Sequence, residues 1–473
     1  MIKTAVILAA GSGTKLWPYA TIRPKAMVPI CTRPLVALLA ESLFAAGIER
    51  VHIAANDTWA SQLRGCFLGD DRVTVTAVGE TRGSAETLLR MRDIVDDDVV
   101  GDVVVNGDVA ENEAFLVLYG DVLLAPETVR AFVERAQEQA PLVLAVQSEG
   151  DDTRDRLSLR VNDEGHVAEV VGHPRGGGGY WFGGFAFTRE VFPLLEANPG
   201  YFRNVEVGMM SPRESYLEMS VAELAQRQPI PVLPCAPEQA IDIDRPWDIM
   251  IANRVMAARM CAALTENVLA EGATIDPTAQ IKGHVVLGKN SRIGRNVVIE
   301  GNCIVGDDTR IDNGAILLGG NIIGDRCTVT NYCYVDGGAV VGHDCVLNHC
   351  AEFGGLLFDG VFLYHYMELF GIIGEHTDIG AGTACGTLRF DDGVTTIRVK
   401  GRPERPRHFS NATYLGDFCR TGVNVTIAPG KRIGCYSVIG AGTIVQKDVP
   451  ERTLIHVKQE LVERPWGPER YGW

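Results

Sequence analysis

The residues best suited to chemistry lie in one stretch near the start of the chain. The tetrapeptide Gly11–Thr14 follows a short run of apolar, β-branched residues, and Lys15 comes directly after it. Its two glycines allow positive φ and let a bulky anion approach the backbone closely. Successive backbone N–H groups in such a loop can bind a phosphate. Lys25 adds a second ammonium group, and Pro24 and Pro29 keep its segment out of a helix. These residues indicate binding of a nucleoside triphosphate.

A glycine loop alone would also fit a tight strand-to-helix turn with solvated lysines. The wider string over residues 8–29, LAAGSGTKLWPYATIRPKAMVP, is more specific. It resembles the N-terminal signature of the sugar-phosphate nucleotidylyltransferases, LAAGxGTRLxP…PK, and departs in its core only at Lys15, where that family usually has arginine. Lysine keeps the charge but lacks the planar fork of arginine. The resemblance implies that Lys15 and Lys25 act on the triphosphate. It implies nucleotide-binding residues at Ala10, Gly11, Ser12, Gly13, Thr14, Gly83, Ser84 and Gly120.

Length and charge limit the remaining possibilities. The chain has 473 residues, which is long for one core and suggests at least two domains. Its composition, 46% hydrophobic and 22% charged, is ordinary for a globular protein. The formal net charge of -16 argues against nonspecific binding to nucleic acid or to a membrane. Any anionic substrate must therefore meet a local basic site, and we expect neither nucleic acid nor membrane as a partner.

The cysteines point to a reducing compartment. Twelve cysteines are scattered singly, without a CxxC pair or the spacing of a zinc site. This pattern favours reduced thiols packed as small hydrophobic side chains. The first apolar stretch is short and contains lysine, so it does not resemble a signal peptide, and no run is long enough to span a membrane. We expect a cytoplasmic protein.

Apolar helices and strands alternate after the glycine loop. This alternation indicates a parallel α/β sheet with right-handed crossovers. Ligands of such sheets bind at the carboxyl ends of the strands, where the loop would lie. With the resemblance, we expect an α/β Rossmann-like nucleotidyltransferase domain over residues 1–245 and a linking helix over residues 246–265.

Two aspartates are candidates for holding a cation. Asp121 ends the apolar segment FLVLYGD, and a carboxylate there is costly unless it binds a cation or a donor. It matches a metal-binding aspartate of the family. Asp242 lies in AIDIDRPWD, which resembles the second metal motif WxDIGxPxD, with Asp244 in place of the usual glycine. The resemblance implies that Asp121 and Asp242 hold Mg²⁺; the alternative is two strand-terminal carboxylates. Asp108, in a similar context, is expected in a hairpin.

The segments that would recognise the base and the sugar depart from the family. Gly83 and Ser84 match a Gly-Thr pair of the base-binding segment, but Val78 stands where glutamine is usual. Gly172 and His173 replace the usual Glu-Lys of the sugar segment. His173 is either a contact of the sugar phosphate or a surface histidine. The nucleobase and the sugar therefore stay open. The remaining residue implied at the sugar phosphate is Gly184.

A different periodicity begins at Ala273. Isoleucine, valine or leucine recurs about every six residues, followed by glycine or a small polar residue, which is the signature of a parallel β-helix. Each coil buries its apolar residues against the next. Hexapeptides of this type predict a left-handed helix, here over residues 266–460 with a tail over residues 461–473. This repeat is similar to that of proteins that form trimers joined along their sides. The resemblance therefore implies a homotrimer or a dimer of trimers.

Three strings stand out within residues 352–449: Gly382 through Asp391, Val399-Lys400-Gly401, and Arg420 through Gly430. With them this segment resembles the acetyltransferase half of the bifunctional archaeal and bacterial enzymes that make UDP-N-acetylglucosamine. There a histidine base takes a proton from the sugar amine as the amine attacks a thioester. When the segment is aligned with that family forward from Asp359, His365 stands at the position of the base. When it is aligned backward from Gly380, Tyr364 stands there instead. His365 as base and His365 as an aromatic-packed structural residue both stay open. Further acetyl-CoA residues implied by the resemblance are Lys400, Asn424 and Ala441.

The sequence therefore predicts an enzyme that converts a nucleoside triphosphate and a sugar 1-phosphate into a nucleoside diphosphate sugar and pyrophosphate. It would need Mg²⁺, with acetyl-CoA as co-substrate if the second half is active. One alternative is a nucleotidyltransferase whose β-helix only assembles the trimer. The other is a non-catalytic regulatory or binding protein that has kept the scaffold.

Overall fold

The computed structural model describes residues 2–96, 98–100, 103–105, 114–148, 156–172, 179–200 and 214–468. The chain divides into two compact units, Met1–Leu264 with Arg398–Pro403, and Thr265–Ile397 with Glu404–Trp473. Each unit has its own buried apolar core. Among the described residues, no helix combines the length and the apolar character needed to cross a membrane.

The first unit alternates strands and helices. Its strands are β1 (Thr4–Ala9), β2 (Pro29–Ile30), β3 (Arg33–Pro34), β4 (Arg50–Ala55), β5 (Val73–Ala77), β6 (Asp98–Val100), β7 (Val103–Val105), β8 (Phe115–Tyr119), β9 (Val122–Leu124), β10 (Leu142–Gln147), β11 (Ser158–Val161), β12 (Val167–Val171), β13 (Tyr180–Phe187), β14 (Val232–Cys235) and β15 (Ala240–Asp242). Its α-helices are α1 (Leu35–Ala45), α2 (Ala60–Gly65), α3 (Ser84–Leu89), α4 (Arg92–Asp96), α5 (Pro126–Glu138), α6 (Val191–Glu196), α7 (Leu217–Ala225) and α8 (Pro246–Ala262).

One mixed sheet organises this unit. Strands β8, β1, β4 and β5 are parallel neighbours in that order. Beyond them β13 pairs antiparallel with both β8 and β10, and β11 pairs antiparallel with β12. The alternation of helices and strands did not predict these antiparallel strands. Strands β11 and β12 are antiparallel because a short turn without a helix joins them, and only antiparallel strands allow such a connection.

The first strand forms the centre of that sheet. Ala5, Val6 and Ile7 of β1 have no exposed surface. Full burial of a valine or isoleucine side chain contributes about 1.5–3 kcal/mol. The apolar run before the glycine loop is therefore a buried parallel strand, as the sequence predicted, and it positions the loop at its carboxyl end.

The second unit is a coil of short parallel strands. Over much of its length the paired residues are 18 positions apart, as between Val285 and Cys303 or between Arg292 and Arg310. Three hexapeptides thus make one turn of the coil, and the coil has three faces. This is the left-handed parallel β-helix that the repeats predicted.

The strands of the β-helix fall on three faces. On the first face lie Val268–Leu269, Val285–Leu287, Cys303–Val305, Asn321–Ile323, Val340–Val341, Thr413–Leu415 and Arg432–Ile433. On the second lie Gln280–Ile281, Val298–Ile299, Ile316–Leu317, Tyr334–Val335, Ala384–Cys385, Thr426–Ile427 and Ile444–Val445. On the third lie Thr274–Ile275, Arg292–Ile293, Arg310–Ile311, Thr328–Val329, Val346–Asn348, Phe362–Tyr364, Asp378–Ile379, Arg420–Thr421, Val438–Ile439 and Leu454–Ile455.

The apparent break in the repeat is a change of coil length. Two longer strands, Glu352–Leu357 and Glu368–Ile373, each pair with strands of the first and second faces. Around them the spacing between paired positions falls to 16, as in the hydrogen bond from the amide of His343 to Asp359. A later insertion raises the spacing between paired positions to 42, as between Glu375 and Asp417. This insertion contains a hairpin, Ile397–Val399 with Arg402–Glu404. The aromatic segment therefore continues the coil.

A column of small polar side chains lies inside the β-helix. The Thr309 hydroxyl donates to the carbonyl of Gly324 at 2.7 Å and accepts from the amide of Cys327 at 2.9 Å. The Cys327 thiol in turn donates to the carbonyl of Gly342 at 3.0 Å. Such bonds satisfy backbone groups that have lost contact with water. They explain why cysteine occurs here as a buried structural residue, as the sequence predicted.

Candidate active site

The glycine loop lies at the carboxyl end of β1. Gly13 has a φ of 62°, in the left-handed region, and precedes the short 3-10 helix Thr14–Leu16. A Cβ atom at Gly13 would lie 3.1 Å from the Cβ atom of Ala20 and 3.3 Å from that of Lys25. Both the conformation and the space therefore favour glycine. The close approach holds the loop against the segment that carries Lys25.

A buried asparagine fixes that segment to the last helix of the unit. Lys25 begins a second short 3-10 helix, which leads into the β2–β3 hairpin. There the amide of Cys31 donates to Oδ1 of Asn253 at 2.7 Å. The Asn253 side-chain amide donates to the carbonyl of Pro29 at 3.0 Å. Because Asn253 lies in α8, these bonds connect the Lys25 segment to the helix that follows Asp242.

The two predicted aspartates meet. Asp242 pairs with Val122 in the two-stranded β15–β9 sheet, and the amide of Ile243 donates to the carbonyl of Asp121 at 2.9 Å. One ligand oxygen from each of Asp121, Asp242 and Asp244 lies within 4.8 Å of the others. Backbone pairing between distant segments thus builds a cluster of three carboxylates.

The ammonium group of Lys25 lies among these carboxylates. Its Nζ is 2.7 Å from Oδ2 of Asp121, 2.6 Å from Oδ1 of Asp244 and 3.9 Å from Oδ1 of Asp242. Only 11% of the side chain is exposed. Burial by itself lowers the pKa of Lys25, but the three negative charges more than offset it and hold the pKa well above its ordinary value. Lys25 therefore stays protonated at neutral pH.

Further cations lie around the cluster. Nζ of Lys15 is 3.1 Å and a guanidinium nitrogen of Arg245 is 3.4 Å from Oδ2 of Asp244. Nε of Arg156 is 3.5 Å from Oδ2 of Asp242. These cations offset the negative charge of the three carboxylates, so an anionic substrate could approach this edge of an otherwise acidic chain.

Asp242 and Asp244 respond to these neighbours in opposite ways. Burial and the charge of Asp244 raise the pKa of Asp242 to about 6, although Lys25 and Arg156 oppose the shift. Burial also acts to raise the pKa of Asp244, but Lys25 and Lys15 outweigh it and hold that pKa below its ordinary value. Asp244 is therefore ionised whenever the lysines are charged.

This donor set fits a divalent cation. Mg²⁺ prefers oxygen ligands and in nucleotide enzymes is typically bound by one or two carboxylates together with substrate phosphates. The three carboxylates offer oxygens of this kind within 4.8 Å of one another. The glycine loop at the end of β1 is of the kind whose backbone N–H groups can bind a phosphate, and this contact stays a prediction.

A cleft with a volume of about 1080 Å³ opens beside the cluster. That volume is sufficient for a ligand of nucleotide-sugar size. Its wall includes several residues that the sequence singled out. They are Ala10, Gly11, Ser12, Lys15, Gly83, Ser84, Asp121 and Asp242.

Two residues of this wall also attach the helix α7. A Cβ atom at Gly83 would lie 2.5 Å from the carbonyl oxygen of Ser215, so the chain passes too closely for a side chain. The hydroxyl of Ser84 accepts a hydrogen bond from the amide of Leu217 at 2.9 Å. The packing of α3 on the start of α7 thus explains both residue types, and their contact with a nucleotide stays a prediction.

Close packing also explains two other predicted positions. A Cβ atom at Gly120 would lie 3.1 Å from the carbonyl oxygen of Leu8, and one at Gly184 would lie 2.6 Å from Cδ2 of Leu118. The close packing of neighbouring strands therefore favours glycine at both sites. Their substrate contacts stay predictions, and His173 lies outside the described residues.

The sequence analysis missed Asp244 as a member of the cluster. Asp242 and Asp244 flank Ile243, which is fully buried. In an extended segment, residues two apart point to the same side. This alternation was a usable signal, but Asp244 was considered only as a departure from the family motif.

It also missed a buried acid on the cleft wall. Glu218 of α7 is 5% exposed, accepts a hydrogen bond from the hydroxyl of Tyr119 and lines the cleft. Its Oε2 has no hydrogen-bond partner among the described residues. Burial raises the pKa of Glu218 to about 7. No pattern in the sequence indicates this burial.

Three predicted residues of the second unit lie along one corner of the β-helix. The backbone ladder there connects successive coils: the amide of Gly382 donates to the carbonyl of His365 at 3.0 Å, and that of Asn424 donates to Ala381 at 2.8 Å. In the next coil the amide of Gly442, the neighbour of Ala441, donates to the carbonyl of Val423 at 2.9 Å. His365, Asn424 and Ala441 therefore share this corner.

His365 is exposed there and packs against other rings. Its ring centroid is 4.5 Å from that of His349, with an interplanar angle of 13°, and 4.8 Å from that of Tyr364. The side chain is thus both accessible and stacked. Lys400, the remaining predicted residue, lies in the turn of the hairpin between Val399 and Arg402.

Comparison with known proteins agrees with this architecture. Residues 4–197 match the family model described as Nucleotidyl transferase, and residues 264–353 match the one described as GMPPB C-terminal domain. The front unit is a nucleotidyltransferase domain, and the protein is an enzyme of that class. The prediction of such a domain joined to a β-helix is confirmed.

Relatives that cover nearly the whole chain are named as bifunctional proteins. "Bifunctional sugar-1-phosphate nucleotidylyltransferase/acetyltransferase" of Sulfurisphaera tokodaii is 25% identical over 455 residues, covering 94% of this chain and 98% of the relative. "Bifunctional protein GlmU" of Methanococcus vannielii is 25% identical over 467 residues, covering 97% of this chain and 98% of the relative. Among solved structures, UDP-glucose pyrophosphorylase complexed with UDP-glucose aligns with a TM-score of 0.45 at 17% identity, over 55% of this chain and 100% of that one.

Proposed function

We propose that this chain transfers a nucleotidyl group from a nucleoside triphosphate to a sugar 1-phosphate. The observation that carries the proposal is the meeting of Asp121, Asp242 and Lys25 at the strand ends beside the glycine loop. A relative spanning nearly the whole chain is named for the same reaction, which supports this substrate class.

In this reaction an oxygen of the sugar phosphate attacks the α-phosphorus in line. The bond from the α-phosphorus to the oxygen bridging to the β-phosphate breaks, and pyrophosphate leaves. The protein contributes mainly position and charge. The backbone N–H groups of Gly11–Thr14 and the Lys15 ammonium hold the triphosphate, and Lys25 stabilises negative charge at the α-phosphate. Asp121 and Asp242 would hold Mg²⁺, which when bound neutralises phosphate charge.

Pyrophosphate release with a panel of triphosphates and sugar 1-phosphates tests this proposal. We expect Mg²⁺-dependent release with at least one pair, and the preferred pair will identify the nucleobase and the sugar. Asp121→Asn should abolish most of this release, whereas Lys3→Ala, a substitution of an exposed lysine, should leave it unchanged. Absence of release with every pair, or full activity of Asp121→Asn, would contradict the proposal.

A second activity is proposed for the β-helix. The specific observation in its favour is that His365, Asn424 and Ala441 lie along one corner. An amine of a sugar phosphate would attack the thioester carbonyl of acetyl-CoA, the carbon–sulfur bond would break, and the proton of the amine would pass to His365. Release of free thiol from acetyl-CoA, with glucosamine 1-phosphate as acceptor, measures this step. If no acceptor amine causes thiol release, the β-helix has an assembly role only.

We also propose a homotrimer joined along the β-helices. The support is the resemblance of the hexapeptide coil to trimeric proteins together with exposed apolar side chains on its faces, such as Val438 and Ile444. Light scattering of the purified chain gives the mass directly. A trimer or a dimer of trimers supports the proposal, and a monomer contradicts it.

A further inference from the structure

The extra carboxylate of Asp244 changes the surroundings of Lys25. Nζ of Lys25 lies 2.6 Å from Oδ1 of Asp244 and 2.7 Å from Oδ2 of Asp121. The same two side chains, with Asp242, form the only such carboxylate cluster in the described part of the chain. The ammonium group is therefore inside the candidate cation site and not beside it.

A divalent cation and this ammonium group would both bind the carboxylates of Asp121 and Asp244. Mg²⁺ lies about 2.1 Å from its oxygen ligands, which is closer than the lysine nitrogen lies to Asp121 and Asp244. Two positive charges about 4 Å apart repel each other by several kcal/mol near a protein surface. We therefore expect the cation and the ammonium group to compete for the carboxylates of Asp121 and Asp244.

We propose that Lys25 is an internal counter-ion of the divalent-cation site, held there by Asp121 and Asp244, and that binding of a cation displaces its ammonium group from the carboxylates. Asp244 is then a positioning residue that acts through Lys25. This inference rests on the proposed function, because it takes Asp121 and Asp242 as cation ligands. It concerns this chain in particular, since Asp244 stands where the family motif has glycine.

The glycine loop offers the displaced ammonium group a destination. The Cβ atom of Lys25 is 3.3 Å from the position that a Cβ atom would take at Gly13, so the two segments are in contact. Four methylene groups allow the lysine head to swing from the carboxylates towards a phosphate at this loop without a backbone movement. Cation binding would thus make Lys25 available to the triphosphate.

By this proposal, Lys25 and a divalent cation exclude each other from the carboxylates of Asp121 and Asp244. The affinity of the substrate-free protein for Mn²⁺ tests this exclusion. Electron paramagnetic resonance measures free Mn²⁺ in the presence of the wild type, Lys25→Met and Lys15→Met. Lys15 is the matched control, because it carries the same charge and also contacts Asp244, at 3.1 Å. We expect Lys25→Met to bind Mn²⁺ about tenfold more tightly than the wild type, and Lys15→Met to change affinity by about threefold or less.

Affinity that rises no more in Lys25→Met than in Lys15→Met would overturn the exclusion, since charge removal alone would then explain the effect. Lys25→Met leaves three carboxylates without their central cation and can fail to fold. Lys25→Gln, which keeps a hydrogen-bond donor, is the second variant, and circular dichroism identifies the folded one to be measured.

The role of Asp244 is tested by a double-mutant cycle. In the Asp244→Gly background, Lys25 has lost one of its two close carboxylates, so it should compete less well with the cation. We expect Lys25→Met to raise Mn²⁺ affinity there by about threefold, against about tenfold in the wild-type background. An equal factor in both backgrounds would show that Asp244 does not hold Lys25.

These measurements are independent of catalysis. They use Mn²⁺ alone, without nucleotide or sugar phosphate. Failure of the exclusion would leave pyrophosphate release intact, whereas failure of the proposed function would appear as the absence of pyrophosphate release with every substrate pair.

Discussion

The cleft of the first unit and the corner of the β-helix bring candidate functional residues together by opposite means. In the cleft, Lys25 and Asp244 are 219 positions apart and meet through the packing of a whole α/β unit. On the corner, His365, Asn424 and Ala441 follow one another coil by coil, because the repeat returns the chain to the same edge. One cluster depends on long-range convergence and the other on periodicity.

The two clusters also differ in burial. The cleft concentrates partly buried charges that shift one another's pKa, as Asp242 and Asp244 show. The histidine of the corner is exposed and stacks on a neighbouring ring. We infer that substitutions in the cleft affect activity and stability together, whereas those on the corner can separate the two. The following predictions test that difference.

The largest effect is expected for Lys25→Ala. Loss of a buried cation from the reaction site should lower kcat/KM for pyrophosphate release by about 10³-fold. It also leaves three carboxylates without their central cation, and breaking a buried pair costs about 3–5 kcal/mol. Steady-state kinetics and urea denaturation measure the two effects, with Lys3→Ala as the control. A loss below tenfold would refute the assigned role.

His365→Gln should separate activity from stability. If His365 is the base, acetyl transfer should fall by about 10²-fold. Pyrophosphate release should stay unchanged, and the free energy of unfolding should change by about 0.5 kcal/mol or less because the side chain is exposed. The matched control is His349→Gln, which alters the stacked partner. Equal losses of acetyl transfer in both variants would identify the stack as structural.

Glu218 predicts a pH dependence of stability. Burial raises its pKa from an ordinary 4.5 to about 7, so the folded state binds this proton more tightly than the unfolded state. The resulting contribution to stability is complete below about pH 4.5 and is lost as the pH rises through 7; it amounts to about 3 kcal/mol. Glu218→Gln should therefore be more stable relative to the wild type at pH 8 than at pH 5.

Urea denaturation at the two pH values measures this difference. Glutamine keeps the shape and can still accept a hydrogen bond from Tyr119, so packing effects should cancel between the two conditions. A parallel change of wild type and variant with pH would show that Glu218 does not titrate in this range.

The smallest effect is expected inside the β-helix. Thr309→Val removes the hydroxyl that bonds Gly324 and Cys327 while keeping the shape of the side chain. The free energy of unfolding should fall by about 1–2 kcal/mol, because two backbone groups lose a buried partner. Thr274→Val, at an exposed strand position, is the control. Equal stability of the two variants would show that the polar column does not support the coil.

The candidate cation site illustrates how far sequence reasoning reached. Lys25, Asp121 and Asp242 were predicted because each lies in a continuous motif whose residue types suit phosphate and metal binding. Asp244 differs from that motif by one side chain, and only the fold shows that this side chain contacts both Lys15 and Lys25. The effect of a residue that departs from a family motif can be inferred only when the side chains that it contacts are known.

The ambiguity over His365 has a physical origin. Counting from opposite ends of the segment reached either His365 or Tyr364, because the local coil is shorter than the regular one. The structure puts His365 on the corner ladder, where its amide donates to Asn348 at 3.3 Å and its carbonyl accepts from Gly382. Whether it acts as a base is left to the acetyl-transfer measurement.

By itself, the sequence determined the class of each unit. A glycine loop after a buried strand and a six-residue repeat are local patterns, and local patterns are set by backbone geometry and by the burial of neighbouring apolar side chains. Only the tertiary structure decided that three carboxylates surround one lysine and that an isolated glutamate is buried on the cleft wall. Such contacts join residues far apart in the chain, and their energies depend on a burial that no short stretch of sequence encodes.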